Sequence, residues 1–308
     1  MTSFYRFLSE KQAKSEIPLF GFASVSEWEK ETKYPVPPEF FPNNIYPEVE
    51  TAIVIGVPVI LPIIETTPSV YYNEHYHTLN AYLDSQALQI SYFLNQKSMP
   101  TVPIPRDGYA GINALKKNPA AAFSHKHAAY HAGLGSFGRN NVILTKEYGP
   151  RVRFTTILTA ASTEELGVPE SVQASELKAF ELKASETKKQ NLCIDCMACA
   201  RMCPAGAITD DKSKPYPISR IDKTKCTNHS GELGLEGISP CGVCIKVCPI
   251  GEDRILFNRK NISIYNEKSK NEKSKNENNE NKNNKNENDE NKEKLMNAWD
   301  HVRSYGTK

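Results

Sequence analysis

No cysteine occurs in the first 192 residues of this 308-residue chain, and none follows Cys248. All eight are therefore concentrated in one short stretch, which is the pattern of a metal-binding module rather than of a disulfide framework spread over a secreted domain. The start, MTSFYRFLSEKQAKSE, scatters charge through its first turns and lacks the apolar core of a secretory leader. Long apolar runs are lacking too. The longest, Ala52 to Ile64, is too short to span a bilayer and contains Pro58 and Pro62. The expectation is a cytoplasmic protein with no membrane partner. A strong charge of one sign is also missing: the formal balance is +2, and two anionic clusters would make it slightly negative, which gives no field for nucleic acid. With 39% apolar and 24% charged residues, the chain has the composition of a folded globular protein long enough for two domains.

Within the cysteine-bearing stretch, residues 192–206 read LCIDCMACARMCPAG, the C-x2-C-x2-C-x3-C-P run that wraps an iron-sulfur cubane. A second set follows as Cys226 and then PCGVCIKVCPIG, with Cys241, Cys244 and Cys248. In two-cluster ferredoxins the cysteine before proline ligates the other cluster. On that rule Cys193, Cys196, Cys199 and Cys248 hold one 4Fe-4S cluster. Cys203, Cys241 and Cys244 then need a fourth ligand for the second, and Cys226 is the only cysteine left. Paired C-x2-C motifs also suit tetrahedral zinc, but the spacing before proline suits cubanes better. Disulfides are disfavoured by the reducing compartment expected here.

The preceding residues carry the pattern of an α/β (α+β) N-terminal domain, to be followed by a bacterial-ferredoxin-like double 4Fe-4S domain. ETAIVIGVPV, Thr101 to Pro105 and RVRFTTILT read as strands, and residues 74–97 place Leu79, Leu83, Ala87, Ile90 and Leu94 at helical spacing. The expected division is an α/β domain over 1–162 and a helical linker over 163–190. A two-cluster domain follows over 191–265, then a disordered Asn/Lys/Glu tract over 266–294 and a terminal helix over 295–308.

Two features of the front domain suggest a site. SHKHAAYHAGLGSFGRNN, residues 124–141, predicts a short helix capped by Ser124 and ended by Gly133, then a glycine loop through Gly135 and Gly138. Turn chemistry explains those glycines as well as ligand binding does, and no strand precedes them as a dinucleotide site would require. Arg151 and Arg153, at alternate strand positions, either meet anionic groups of a cofactor or are solvated.

AGLGSFGRN, then ILTKEYGPRVRFTTILT, and finally the two cysteine sets with a lone cysteine in IDKTKC together resemble the epoxyqueuosine reductases, which are distantly like reductive dehalogenases. The resemblance covers roughly residues 45–258. It implies a cobalamin-binding α/β domain fed with electrons by two 4Fe-4S clusters, a reductase activity, an external low-potential donor of ferredoxin or flavodoxin type, and a small-molecule or corrinoid acceptor. Matched residue by residue, Gly133, Gly135, Gly138 and Asn140 stand on the family's cofactor-binding loop, with Arg139 where lysine is usual. Asn118 to Gly133 contains no acidic residue where that family keeps an aspartate proton donor, and its helical-repeat extension is replaced by the charged tract. The tRNA chemistry is therefore not carried over. Candidate proton donors of other types are His125, His127, Tyr130, Asp107 and Tyr109. The rival reading is a non-catalytic ferredoxin-type electron-transfer protein or a reductive activator of a corrinoid protein; a flavin in the front domain is a third.

Overall fold

A β-branched strand, Thr51–Pro58, forms the centre of the front domain because every side chain of its first six residues finds apolar cover on one face or the other. In the computed structural model, which describes residues 3–32, 34–106, 112–117, 121–170, 172, 191–209, 211 and 221–265, this strand is the second of four. The strands are β1 (Leu19–Ser24), β2 (Thr51–Pro58), β3 (Thr101–Ile104) and β6 (Val152–Thr159), in the order β1-β2-β6-β3. Every pairing is antiparallel, with Ile53 opposite Phe22 on one side and Ile157 on the other. The sheet is thus antiparallel and the domain is α+β, with helices added to its faces rather than crossing between parallel strands.

Alternation along β2 sorts the core into two layers. Ile53 and Ile55 point to the face covered by α1 (Phe4–Ala13) and α3 (Val70–Asn95), where Leu83, Ala87, Ile90 and Leu94 are buried with Phe4, Leu8 and Phe22. Ala52 and Val54 point the other way. They meet α5 (His125–His131) and the short hairpin β4 (Ser136–Phe137) and β5 (Ile143–Leu144), together with Trp28, Tyr34 and Phe123. Two further helices, α2 (Leu61–Glu65) and α4 (Ile112–Lys117), complete the domain.

The front domain does not stop at residue 162. Leu166 and Val168 are buried against α1, and the Leu166 carbonyl accepts from the Tyr5 amide at 3.1 Å. Leu166 and Val168 therefore belong to the core rather than to a linker. The helix expected over most of 169–190, the charged tract and the terminal helix lie outside the described residues, apart from 169–170 and 172.

The cysteine-rich domain is built from short pieces: α6 (Ala198–Arg201), α7 (Lys223–Leu235), α8 (Val243–Lys246) and α9 (Asp253–Leu256). Helices α6 and α8 pack on each other and are capped alike, by Met197 at φ 64° and Gly242 at φ 65°. The two cysteine motifs thus adopt one backbone shape twice. Glycine permits it at 242, while Met197 adopts the left-handed conformation with a side chain. A cluster of Ala198, Val247 and Tyr265 with Cys196 and Cys199 closes the small core between them.

Candidate metal centres and their joint with the front domain

Eight thiols in a short sequence must repel one another once ionised, and the structure shows which thiols do so. Burial pushes the Cys199 thiol up to about 12, and Cys248, Cys193 and Cys196 add to the effect. Cys226 is raised by burial and then by Cys203, and Cys241 by burial and then by Cys226 and Cys203. Cys244 is raised by burial and by Cys199, Cys226, Cys241 and Cys203. Cys193, Cys196, Cys199 and Cys248 are thus neighbours, as are Cys203, Cys226 and Cys241, while Cys244 lies near Cys199 as well as near Cys226, Cys241 and Cys203. Iron binding would release the protons and replace the repulsion with bonds.

The two domains are joined by buried charge. Arg139, 1% exposed, donates from Nε to Asp195 at 2.7 Å and from Nη1 to the Thr209 carbonyl at 3.2 Å. Arg151, fully buried, donates from Nε to Asp253 at 2.8 Å and from Nη2 to the Ile250 carbonyl at 2.8 Å. Arg254 lies between Glu65, the Tyr265 hydroxyl and the Arg259 carbonyl. Each guanidinium meets a carboxylate, and all three pairs cross between the domains. On the other flank Thr67 Oγ1 donates to the Cys241 carbonyl at 2.6 Å, and Lys246 Nζ donates to the Thr67 carbonyl at 3.1 Å. Tyr72 packs its ring where a side chain on Gly242 would collide, 2.7 Å from the added carbon.

The glycine loop is part of this joint. A cavity at the first thiol group is lined by Gly138, Arg139 and Asn140 together with Cys193, Cys196, Cys199 and Cys248. Asn140 Nδ2 donates to the Cys244 carbonyl at 3.2 Å. The expectation that Gly135 and Gly138 clear space for a ligand needs a different physical reason. A Cβ on Gly135 would lie 2.2 Å from the Leu144 carbonyl oxygen, and one on Gly138 would lie 2.5 Å from Asn140 Oδ1. Both glycines let the β4–β5 hairpin fold on itself. Gly133, at φ 71°, ends α5 and is open on its missing side-chain face.

The candidate proton donors divide similarly. His125 presents one ring nitrogen to Thr156 Oγ1 and the other to the Pro105 carbonyl, both at 2.9 Å, so it ties α5 to the sheet. His127 bonds Ser124 Oγ through Nδ1 at 2.7 Å and packs on Phe137. Burial, then the nearby Lys126 and Lys223, bring its pKa down to about 3. It is neutral at physiological pH. Tyr130, 3% exposed, stands edge-on to Tyr34 at 4.8 Å, and its pKa is raised by burial and then by Glu31. These are core contacts. His131 stacks on Trp28 at 4.8 Å. Asp107 and Tyr109 lie outside the described residues. Arg151 and Arg153 do not share a solvent or cofactor face: Arg153 donates to Asn80 and Tyr76 of α3. Sequence reasoning missed Asp195, Asp253 and Glu65 as partners of the buried arginines, since nothing local marks an acid as the partner of a distant arginine.

A family described as a 4Fe-4S dicluster domain matches residues 192–251, and two 4Fe-4S clusters are therefore the cofactors of this domain. The tetrachloroethene reductive dehalogenase of Sulfurospirillum multivorans is 31% identical over 137 residues, 41% of this chain and 23% of that one. The enzyme of the same name from Desulfitobacterium hafniense is 28% identical over 134 residues, 39% of this chain and 21% of that one. A solved reductive dehalogenase, described as suggesting a mechanism for B12-dependent dehalogenation, shares the fold at a TM-score of 0.51 and 18% identity, over 82% of this chain and 34% of that one. Epoxyqueuosine reductase from Streptococcus thermophilus is a looser structural neighbour, with a TM-score of 0.43 and 16% identity over 79% of this chain and 65% of that one. The chain matches less than a quarter of the length of these curated relatives. No helix among the described residues is long and apolar enough to cross a membrane.

Proposed function

We propose that this protein is an iron-sulfur reductase in which two 4Fe-4S clusters pass electrons to an acceptor bound by the front domain. The observation that carries the reading is the shared cavity: Gly138, Arg139 and Asn140 of the front domain line the same space as Cys193, Cys196, Cys199 and Cys248. A self-contained ferredoxin would gain nothing from a second domain fastened to its cluster by buried ion pairs.

In this reading Cys193, Cys196, Cys199 and Cys248 ligate the cluster facing the front domain. Cys203, Cys226, Cys241 and Cys244 ligate the second, and the thiol neighbourhoods support that division. Electrons would come from an external low-potential donor of ferredoxin or flavodoxin type. Cys226 is the exposed thiol of the eight, and in this reading such a donor would approach the second cluster on that side.

The acceptor that the relatives favour is a corrinoid, which supplies a strongly reducing cobalt centre when bound. The loop residues themselves do not fit direct contact with it. Gly135 and Gly138 serve the hairpin, Arg139 serves Asp195 and Asn140 serves the Cys244 carbonyl. No residue is assigned to corrinoid binding on that ground, and the loop's role in this reading is to hold the cluster against the front domain.

Anaerobic titration of reconstituted full-length protein with cobalamin, and separately with flavin, tests the acceptor. A saturable change in the cobalamin spectrum at micromolar concentration is expected. No change with either leaves the electron-transfer reading, and a change with flavin alone replaces the corrinoid with a flavin.

A further inference from the structure

A cluster that takes electrons from a second protein needs an edge near the surface and a charged face around it that the donor recognises. Helix α7 supplies the edge. Its N-cap residue, Asp222, donates its amide to the Ala207 carbonyl at 2.7 Å, and the Ala207 amide donates to Cys203 Sγ at 3.3 Å. Further along the helix the Ser230 and Ser239 hydroxyls are hydrogen-bonded at 2.9 Å, which ties α7 to the loop leading into Cys241. Cys226 lies between these two anchors and is exposed.

The charges on α7 run against the helix itself. Lys223 and Lys225 stand in its first turn, Glu232 in its last turn and Glu236 at its C-cap, and all four are exposed. The helix macrodipole favours the opposite order, with anions first and cations last. Local helix stability therefore does not account for the two lysines. Asp222 accepts from the Lys225 amide at 3.0 Å and lies 4.0 Å from Lys225 Nζ, so it offsets part of one charge. Lys223 stands three residues before Cys226 and so neighbours it on the helix surface. Helix α4 packs against α7 and brings Lys116 and Lys117, both exposed. Among the described residues Lys116, Lys117 and Lys223 form no ion pair. Neither helix carries an arginine, or a phenylalanine, tyrosine or tryptophan on which a base could stack, which disfavours nucleic acid as the occupant.

We propose that the exposed surface of α4 and the first turn of α7 docks an acidic redox protein, which reduces the second cluster at its Cys226 edge. The proposal rests on the function given above, in which Cys226 ligates that cluster and electrons come from an external donor. Each encounter moves one electron: the donor's reduced cofactor loses it, the cluster gains it, and no bond is made or broken. The lysines draw the donor by opposite charge, and Glu232 and Glu236 repel it from the far end of the helix, so that the encounter is oriented.

Stopped-flow reduction of the reconstituted full chain tests this, with reduced flavodoxin and an acidic ferredoxin as donors in parallel. Dithionite, a small reductant that needs no docking, should bleach both clusters in every variant. Lys223→Glu with Lys225→Glu, and separately Lys116→Glu with Lys117→Glu, should each lower the bimolecular rate about tenfold at low salt, and all rates should converge as salt rises. Arg6→Glu with Lys14→Glu, at α1, makes the same change of net charge elsewhere and should leave the rate close to that of the wild type. If the Lys223 and Lys225 variant loses iron, the α4 pair, which lies outside the cysteine-rich domain, carries the same test. With iron intact, rates that respond no more to the lysine pairs than to the α1 pair, or a wild-type rate indifferent to salt, would overturn the docking surface. Bulk tRNA bound at physiological salt and released by the lysine reversals, with donor rates unchanged, would assign the face to nucleic acid instead. Clusters that dithionite bleaches but neither donor reduces would overturn the external donor of the functional reading, and Cys226→Ser leaving both cluster signals unchanged would overturn the ligand division.

Discussion

Replacing Arg151 by methionine probes the joint between the domains at one of its buried ion pairs. The guanidinium is fully buried and Asp253 is only 13% exposed, so the carboxylate left behind cannot be rehydrated in place. The Ile250 carbonyl, beside Cys248, also loses its donor. Removing one partner of such a pair costs about 3–5 kcal/mol, mostly from the stranded charge. The Arg6–Glu10 pair on α1 provides the contrast, with side chains 72% and 53% exposed. Such a pair is worth under about 1 kcal/mol. Urea titration followed by loss of cluster absorbance reads the difference. At a slope of about 3 kcal/mol per molar, Arg151→Met should lower the midpoint by about 1–2 M, and Arg6→Met by a few tenths at most. The double variant Arg151→Met with Asp253→Leu should recover much of the loss, because the stranded carboxylate is gone. A single variant as harmless as Arg6→Met, or a double variant no better than the single, would refute the reasoning.

Further outcomes follow from the same geometry. Cys248→Ser should abolish the cluster of Cys193, Cys196 and Cys199 while sparing the other, and Cys203→Ser the reverse, as read by iron content and paramagnetic signals of each variant. Gly135→Val should lower iron content as well as stability, since its Cβ meets the Leu144 carbonyl in the hairpin that touches the cluster cavity; retention of full iron would show that the hairpin tolerates opening. Because the His127 pKa is held down to about 3 by burial, unfolded chains bind its proton first as pH falls. Its contribution to stability is full above about 6.5 and is lost progressively toward pH 3, at up to about 1.4 kcal/mol per unit. Thermal melting of His127→Gln between pH 7 and 4.5 should accordingly fall less steeply than that of the wild type.

Much of the architecture was legible because it is written in local patterns. The apolar run at Ala52, the leucine spacing of α3 and the serine and glycine that bracket α5 each specify an element by periodicity or capping alone. β1 escaped notice because LFGFAS has neither β-branched density nor alternation, and gains its place by pairing with β2. The cluster motifs were the clearest signal, because a cubane constrains cysteine spacing directly. What sequence could not show was the use of the residues between motifs. Arg139, Arg151 and Arg254 find acids 56, 102 and 189 positions away, and no local rule encodes such partners. Gly135 likewise looked like room for a ligand and is instead filled by the chain's own carbonyl. His125, His127 and Tyr130 are chemically versatile side chains, and each engages neighbours within the front domain that no local rule announces.

The central claim is a pair of cubane clusters, one of them set against the front domain. Quantitative electron paramagnetic resonance of the fully reduced chain, with iron and sulfide determined on the same sample, tests it most directly. The expected result is about eight iron and eight sulfide per chain and about two spins, broadened by their mutual interaction. About four iron with a single unbroadened spin, or tightly bound zinc without sulfide, would contradict it.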